Sequence, residues 1–168
     1  MKLTDVAAIE VWQELEKEIE NHSGLNASIF DAAGSRIANT HKWANPICPL
    51  VKASEKGQTF ICSLAHQNVS NMAMKSKSPV IDECDAGFAK MVVPIFCGDE
   101  FIGVAGGCGL LQDGGEVDTF LIHKTTGIDE EELEPLTGDI KTISDDQLEE
   151  LSAYLTEKVK NIVKNIKN

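Results

Sequence analysis

The spacing of apolar residues changes period several times along the chain, and each change marks an element. Val6, Ile9, Trp12, Leu15 and Ile19 recur at near-helical intervals and give one stripe. Thr4 and Asp5 can cap that helix, which the pattern carries to about Glu20 before His22-Ser23-Gly24 ends it. Leu25 to Asp31 reads as a short strand, Asp31-Ala32-Ala33-Gly34 as a turn, and Ser35 to Thr40 as a second strand. From Asn45 to Lys77 the period is helical, with Pro46 and Pro49 in a loop or first turn and Gly57 expected to break the segment. Phe60, Ile61, Leu64, Ala65, Val69, Met72 and Ala73 predict a helix over residues 59–77, which Ser78-Pro79 stops. Val80 to Glu83 then reads as a third strand.

The most apolar stretch follows, from Cys84 to Leu111. Met91–Phe96 and Phe101–Ala105 flank Gly98-Asp99-Glu100, the length and glycine content of a hairpin connection. Pro94 cannot donate to a ladder, so its strand is expected to have an open or bulged side there. An antiparallel pair brings Cys84 and Cys108 to one end of the sheet and leaves Cys97 at the other. Beyond it, Asp113-Gly114-Gly115-Glu116 is a turn, and residues 117–124 and 128–132 predict short helices, the second limited by Pro135 and Gly138. Ser144-Asp145-Asp146-Gln147 has the form of a capping box and opens a last helix over about 145–166, where Leu148, Leu151, Leu155, Val159, Ile162 and Ile166 step by threes and fours. The order describes an α+β domain, an antiparallel sheet covered by helices with N- and C-terminal flanking helices. The hairpin around Asp31 is of the kind that opens PAS and GAF sensor domains, an analogy of fold alone.

At 168 residues, the expectation is a single domain over 1–168. No apolar run approaches the roughly 20 residues of a membrane span, and the N-terminus lacks the character of a signal peptide, so the expected location is cytoplasmic and no membrane partner is expected. A net charge of -12 argues against a nucleic-acid surface. Most of it is local, with 13 acidic residues against Lys124 and Lys141 between Gln112 and Glu150. A solvated acidic face accounts for that segment, and a docking surface for a basic partner is the sharper reading.

Five cysteines, an odd number, fit a disulfide framework poorly. Cys48, Cys62, Cys84 and Cys108 are 14, 22 and 24 residues apart, none with the close pairing of zinc ribbons. Cys62 and His66, four apart on the predicted helix, share a face. If that helix covers the Cys84–Cys108 end of the sheet, four thiolates, with His66 as an alternative ligand, could hold Zn2+, iron or an iron–sulfur cluster. Each cysteine could instead fill core volume, or two could form a reversible redox switch. Cys97 suggests no role, and His22, His41 and His123 read as surface or cap residues. The chain has no Gly-x-Ser-x-Gly, P-loop or His-Glu-x-x-His motif. The glycines around Gly106-Gly107 follow a strand and suit close backbone approach or a bulge. No enzyme is expected.

Trp43-Ala44-Asn45-Pro46-Ile47-Cys48, Phe60-Ile61-Cys62, Glu83-Cys84-Asp85-Ala86-Gly87, Val93-Pro94-Ile95 and Gly103-Val104-Ala105-Gly106-Gly107 together resemble the PocR sensory domain, over roughly residues 10–121. That family is described as a PAS-like ligand-sensing module, usually placed before a histidine kinase, a cyclic-dinucleotide output domain or an AraC-type DNA-binding domain. Small hydrocarbon derivatives such as propanediol or glycerol have been proposed as ligands for some members. The resemblance implies that Cys48, Cys62 and Cys84 line the signature site and that Gly87 belongs to the same motif. Two departures stand out: the last helix ends the chain where an output domain is expected, and Cys108 follows the glycine pair where a polar residue such as Gln is expected.

The leading expectation is a stand-alone, non-catalytic sensor that detects a metal or redox signal or a small ligand at a site lined by Cys48, Cys62, Cys84 and Cys108. Trp43, His66 and Gly87 join the candidate ligand-binding set, and the terminal helices carry the output to an unidentified partner in trans. The first alternative is a PAS-like sensor of a small organic effector such as a diol or polyol, with cysteines only as walls. A thiol redox enzyme is the second. The apolar stripe of the last helix could pack on its own domain or on a second copy, which would make a homodimer.

Overall fold

A four-stranded antiparallel sheet grows around the central hairpin and carries helices on both faces. The computed structural model of the chain describes residues 1–38 and 42–167. Two helices, α1 (Leu3–Val6) and α2 (Ile9–Ser23), open it where the pattern predicts one. Ala7 is extended at φ −150° and interrupts the helix. The indole N–H of Trp12 spans the break and donates to the carbonyl of Leu3 at 3.0 Å. The predicted stripe survives the kink, because Val6, Trp12, Leu15 and Ile19 are all buried. Gly24, at φ 75°, ends α2 in the left-handed conformation that favours glycine.

Strand β1 (Asn26–Asp31) follows, with the expected turn to Gly34. The predicted second strand does not form among the described residues. It is reduced to one bridge, Phe30 to Arg36, and residues 39–41, including His41, lie outside the described set. Helix α3 (Cys48–Ala53) and the short α4 (Glu55–Gly57) meet at Ser54, whose hydroxyl accepts the Gly57 N–H at 3.2 Å. The break therefore falls at Ser54, and Gly57 is buried within helical backbone. A π-helical turn over Gln58–Ser63 leads into α5 (Leu64–Ser76). Its wider turn shifts the helix phase, so Phe60, Leu64 and Met72 of the predicted stripe are exposed while Ile61, Val69 and Ala73 are buried.

Strands β2 (Val80–Glu83), β3 (Ala89–Cys97) and β4 (Glu100–Cys108) complete the sheet in the order β1-β4-β3-β2. Gly98, at φ 62°, opens the two-residue turn between β3 and β4. Pro94 pairs with Val104 on one side and lies beyond the last β2 pair, Val80 with Val92, on the other. Its missing N–H thus interrupts no ladder, and the register shifts just after it, between Ile95 and Phe96. Strand β5 (Leu111–Gln112), α6 (Thr119–Thr126), α7 (Glu130–Leu133) and β6 (Thr142–Ile143) follow, with β5 and β6 forming a small parallel pair that the pattern does not predict. Pro135 lies inside a 3-10 turn that extends α7. Helix α8 (Asp145–Lys164) starts with the Ser144–Gln147 capping box.

Alternation along the strands divides the sheet between two cores. Ala27, Ile29, Ala89, Met91, Val93, Ile95 and Ala105 pack against α2 and α8. On the opposite face Val92 and Val104 pack against Val69 and Ala73 of α5. Leu148, Leu151, Leu155 and Val159 of α8 join the first core and Ile162 packs against it, so the stripe of the last helix is used within its own chain.

At the free edge of β1 an ion pair does work that a further strand would do. The Ile29 N–H donates to Glu16 Oε1 at 3.1 Å, Arg36 Nη2 donates to the Ala27 carbonyl at 2.9 Å, and Arg36 Nη2 lies 3.5 Å from Glu16 Oε1. Glu16 has no exposed surface. Removing the carboxylate takes away the guanidinium's counter-charge and the acceptor of the Ile29 N–H. Glu16→Leu is expected to lower unfolding free energy by about 3 kcal/mol, with Glu16→Leu/Arg36→Leu recovering part of the loss. Urea denaturation of the single and double variants checks this.

Candidate functional site

Below the contact with α5, the same sheet face opens into a cavity of about 420 Å³. Its floor comes from alternate positions of three strands: Asn26, Ser28 and Phe30 of β1, Lys90 of β3 and Cys108 of β4. Register explains the grouping, since Asn26 and Lys90 both pair with Cys108 across the sheet. The roof is helical, with Cys48 and Lys52 from α3, Gln58 and Cys62 from the π turn, and His66 from α5. Cys84 and Phe88 close one side, and Arg36 the other. Trp43, 40% exposed, stands in the wall with Lys52 Nζ 6.0 Å from its ring centroid.

Each cysteine is positioned by a different local device. Asn45 is buried, and its Oδ1 accepts the N–H groups of Ile47 and Cys48, both at 2.8 Å, capping the start of α3. Its Nδ2 donates to the Gly109 carbonyl at 2.6 Å and to Cys48 Sγ at 3.1 Å, tying α3 to the end of β4. Cys62 is delivered by the π turn. Cys84 belongs to a turn in which Gly87 N–H donates to its carbonyl at 2.9 Å. Gly87, at φ 97°, is not a wall of the cavity; a Cβ there would lie 2.1 Å from the Glu116 carbonyl oxygen, so only glycine lets the turn approach that segment. Cys97 is at the far end of β3, as the hairpin predicts, partly buried against the main core. His22 stacks on Tyr154, and His123 bonds the Ile128 carbonyl through Nδ1 at 2.8 Å.

Of the residues singled out in the sequence, Trp43, Cys48, Cys62, His66, Cys84 and Cys108 line this one cavity. Sharing a cavity does not make them a coordination set. Among the described residues, no three His, Cys, Asp or Glu side chains are placed to hold a metal ion. All five cysteines are free thiols. Burial pushes the Cys48 thiol well above its ordinary range, with Cys108 adding to the effect against the Asn45 hydrogen bond. Burial first, then Cys108, pushes Cys62 up to about 11. Burial also raises Cys84, against hydrogen bonding from the Phe88 and Ala86 backbone. At neutral pH these three groups are therefore thiols, weak as nucleophiles and soft as a surface. His66 packs against Phe30 with ring centroids 3.8 Å apart, its Nε2 is 3.3 Å from Ser70 Oγ, and its Nδ1 is buried without a partner. Burial, then the nearby Lys90 and Lys52, lowers its pKa to about 4, so the ring is neutral.

Three groups that build the cavity escape the sequence reading, Asn45 by holding Cys48, and Lys90 and Arg36 as walls. Asn45 carries a signal, because Asn before Pro and a helix start is a capping arrangement. Lys90 and Arg36 carry none, since a cation entering one predicted strand and a cation within another show nothing of what they face.

The family model described as the sensory domain found in PocR matches residues 5–166, beyond the 10–121 over which the motifs are recognised. No curated protein and no solved structure matches the chain.

The lowered pKa of His66 sets a pH dependence. The unfolded ring takes a proton near pH 6.5 while the folded one resists until about pH 4, so stability is full above the first value and is lost as pH falls between them. His66→Phe, which keeps the packing on Phe30, should remove about 2 kcal/mol of the wild-type stability difference between neutral pH and pH 4.5. Paired urea titrations at the two pH values check it.

Proposed function

The chain belongs to the family of PocR sensory domains, and from that premise we propose that the cavity is its sensing site, taking a small organic ligand. The observation that carries this is the cavity itself. Its volume lies within the range of small-molecule sites, and its walls mix apolar surface with a few polar groups. The cysteines serve as walls. Protonated thiols are poor nucleophiles, which supports a non-catalytic role and weighs against a thiol redox enzyme. Free thiols throughout are in keeping with a reducing, cytoplasmic setting, and no described helix is long and apolar enough to cross a membrane.

Output runs through the terminal helices. Arg36 borders the cavity and reaches Glu16 on α2, and α2 holds α8 through Glu18, which accepts a 2.8 Å hydrogen bond from Tyr154 and lies 3.2 Å from Lys158 Nζ. A ligand that draws Arg36 toward itself changes that linkage, and a signalling partner in trans would read the two helices. A homodimer has to form on a surface other than the α8 stripe, whose residues down to Val159 are buried within the chain.

The reading in which Zn2+, iron or an iron–sulfur cluster is sensed has the donor chemistry in its favour, four thiols on one cavity. Their placement does not fit it, because a coordination set would require them to draw together. One experiment separates the two. A panel of small polyols and acids is screened by thermal melting on anaerobically purified protein, together with elemental analysis. The expected result is a stabilising compound, metal content near zero, and a response that Cys48→Ser and Cys84→Ser leave intact. One metal per chain, lost in those variants, would transfer the proposal to the metal reading.

A further inference from the structure

The structure assigns this cavity to a small organic anion whose charge is met by Lys90, an inference that rests on the cavity being the sensing site. The first observation is electrostatic. The chain carries 27 acidic residues against 15 Lys and Arg, yet among the described residues no Asp or Glu lines the cavity, while Arg36, Lys52 and Lys90 all do. An interior that reverses the sign of the whole molecule is not the by-product of its composition.

The three cations are not equivalent. Arg36 is paired with Glu16, and Lys52 lies over the Trp43 ring. Lys90 is buried, 7% exposed, on the central strand of the floor, and makes no ion pair or hydrogen bond among the described residues. Its cross-strand neighbours are Cys108 and Asp82. Asp82 is exposed, and its Oδ1 accepts the N–H of Glu83 at 2.8 Å. An ammonium on a largely buried side chain, facing a cavity with no counter-charge among the described residues, is costly, and a ligand bringing a carboxylate removes that cost. It is the same imbalance that makes truncation of one partner of a buried pair so damaging, here with the partner supplied from solution.

The rest of the lining says what the anion carries. The rings of Phe30 and Phe88 and the side chains of Cys48, Cys62 and Cys84 form an uncharged, polarisable surface, and His66 adds no charge. A short hydrocarbon or aromatic body with one acidic end, such as a small monocarboxylate, complements such a wall. A neutral diol would leave the Lys90 charge unmet.

The test uses matched pairs at constant ionic strength: butyrate, 3-methylbutanoate and benzoate against their primary amides, read as melting-temperature shifts of the full chain. Wild type is expected to be stabilised by one or more of the acids and not by the matching amide. Lys90→Arg should retain the response and Lys90→Met should lose it. Without ligand, Lys90→Met should melt higher than wild type, because it removes an unmet buried charge. Amides that stabilise as well as acids, or a response retained in Lys90→Met, would overturn the assignment to an anion and leave the cavity as a site for neutral ligands. A lower melting point of ligand-free Lys90→Met would make Lys90 a structural group and overturn it as well. If no acid and no amide stabilises wild type, the inference and the sensing-site reading fall together.

Discussion

Glu16 places an unexposed carboxylate between the Ile29 N–H and the Arg36 guanidinium, at the β1 edge of the sheet. Three features depend on that contact. The β1 edge has its backbone groups met without a further strand, α2 is fixed against the sheet, and Arg36 is held at the cavity wall. Burying a charged pair gives little net stability compared with apolar packing, because both ions lose their water. What it gives is position. A hydrophobic contact can slide, whereas a carboxylate that accepts from a particular N–H and a particular guanidinium cannot.

The cavity exists because the two halves of one sheet face are packed differently. Toward one end, Val92 and Val104 meet α5 and fill the space. Toward the other, Ile47, Val51, Ile61, Phe88, Ile122 and Leu133 close the helices over one another. Between them the floor has Ser28 opposite Gly106, a pair with little side-chain volume. Gly106 is fixed as glycine by the backbone, since a Cβ there would lie 1.9 Å from the Met91 carbonyl oxygen. The close approach that the glycine run suggests in the sequence thus has a second effect, which is to leave volume above the sheet.

The hairpin, its turn and the position of its cysteines were legible because each rests on local pattern: apolar runs of strand length, a glycine turn, and antiparallel geometry. The same reasoning brought Cys62 and His66 to one face, and the structure has both on the cavity wall. The π turn was not legible, because its effect on phase depends on packing rather than on the residues it contains, and Phe60 and Leu64 were placed inward as a result. The second strand expected after Gly34, which does not form among the described residues, has the composition of a strand. The edge it would have covered is instead met by Glu16, 13 residues before Ile29, and by the side chain of Arg36. Lys90 gives the least signal. In the sequence it is one polar residue entering a strand, and only the register with Cys108 and Asn26 shows that it faces the floor of a cavity.

An acidic protein with a basic cavity meets two opposing electrostatic effects when an anion approaches. The surface charge repels at long range, but at physiological ionic strength that field decays over about 8 Å. Inside the cavity the nearest charges are Arg36, Lys52 and Lys90, and at such short range they dominate the potential. Entry is thus slowed modestly while binding is favoured strongly, and the selectivity lies in the local field. In the proposed reading that field also joins binding to output. Arg36 faces both the cavity and Glu16, so an anion bound beside it competes with a carboxylate on a terminal helix for one guanidinium. A ligand can shift a conformational equilibrium only by its difference in affinity for the two states. Lys90, with no carboxylate bound to it among the described residues, contributes affinity to both states, and Arg36, whose partner can change, is where the difference between them can arise.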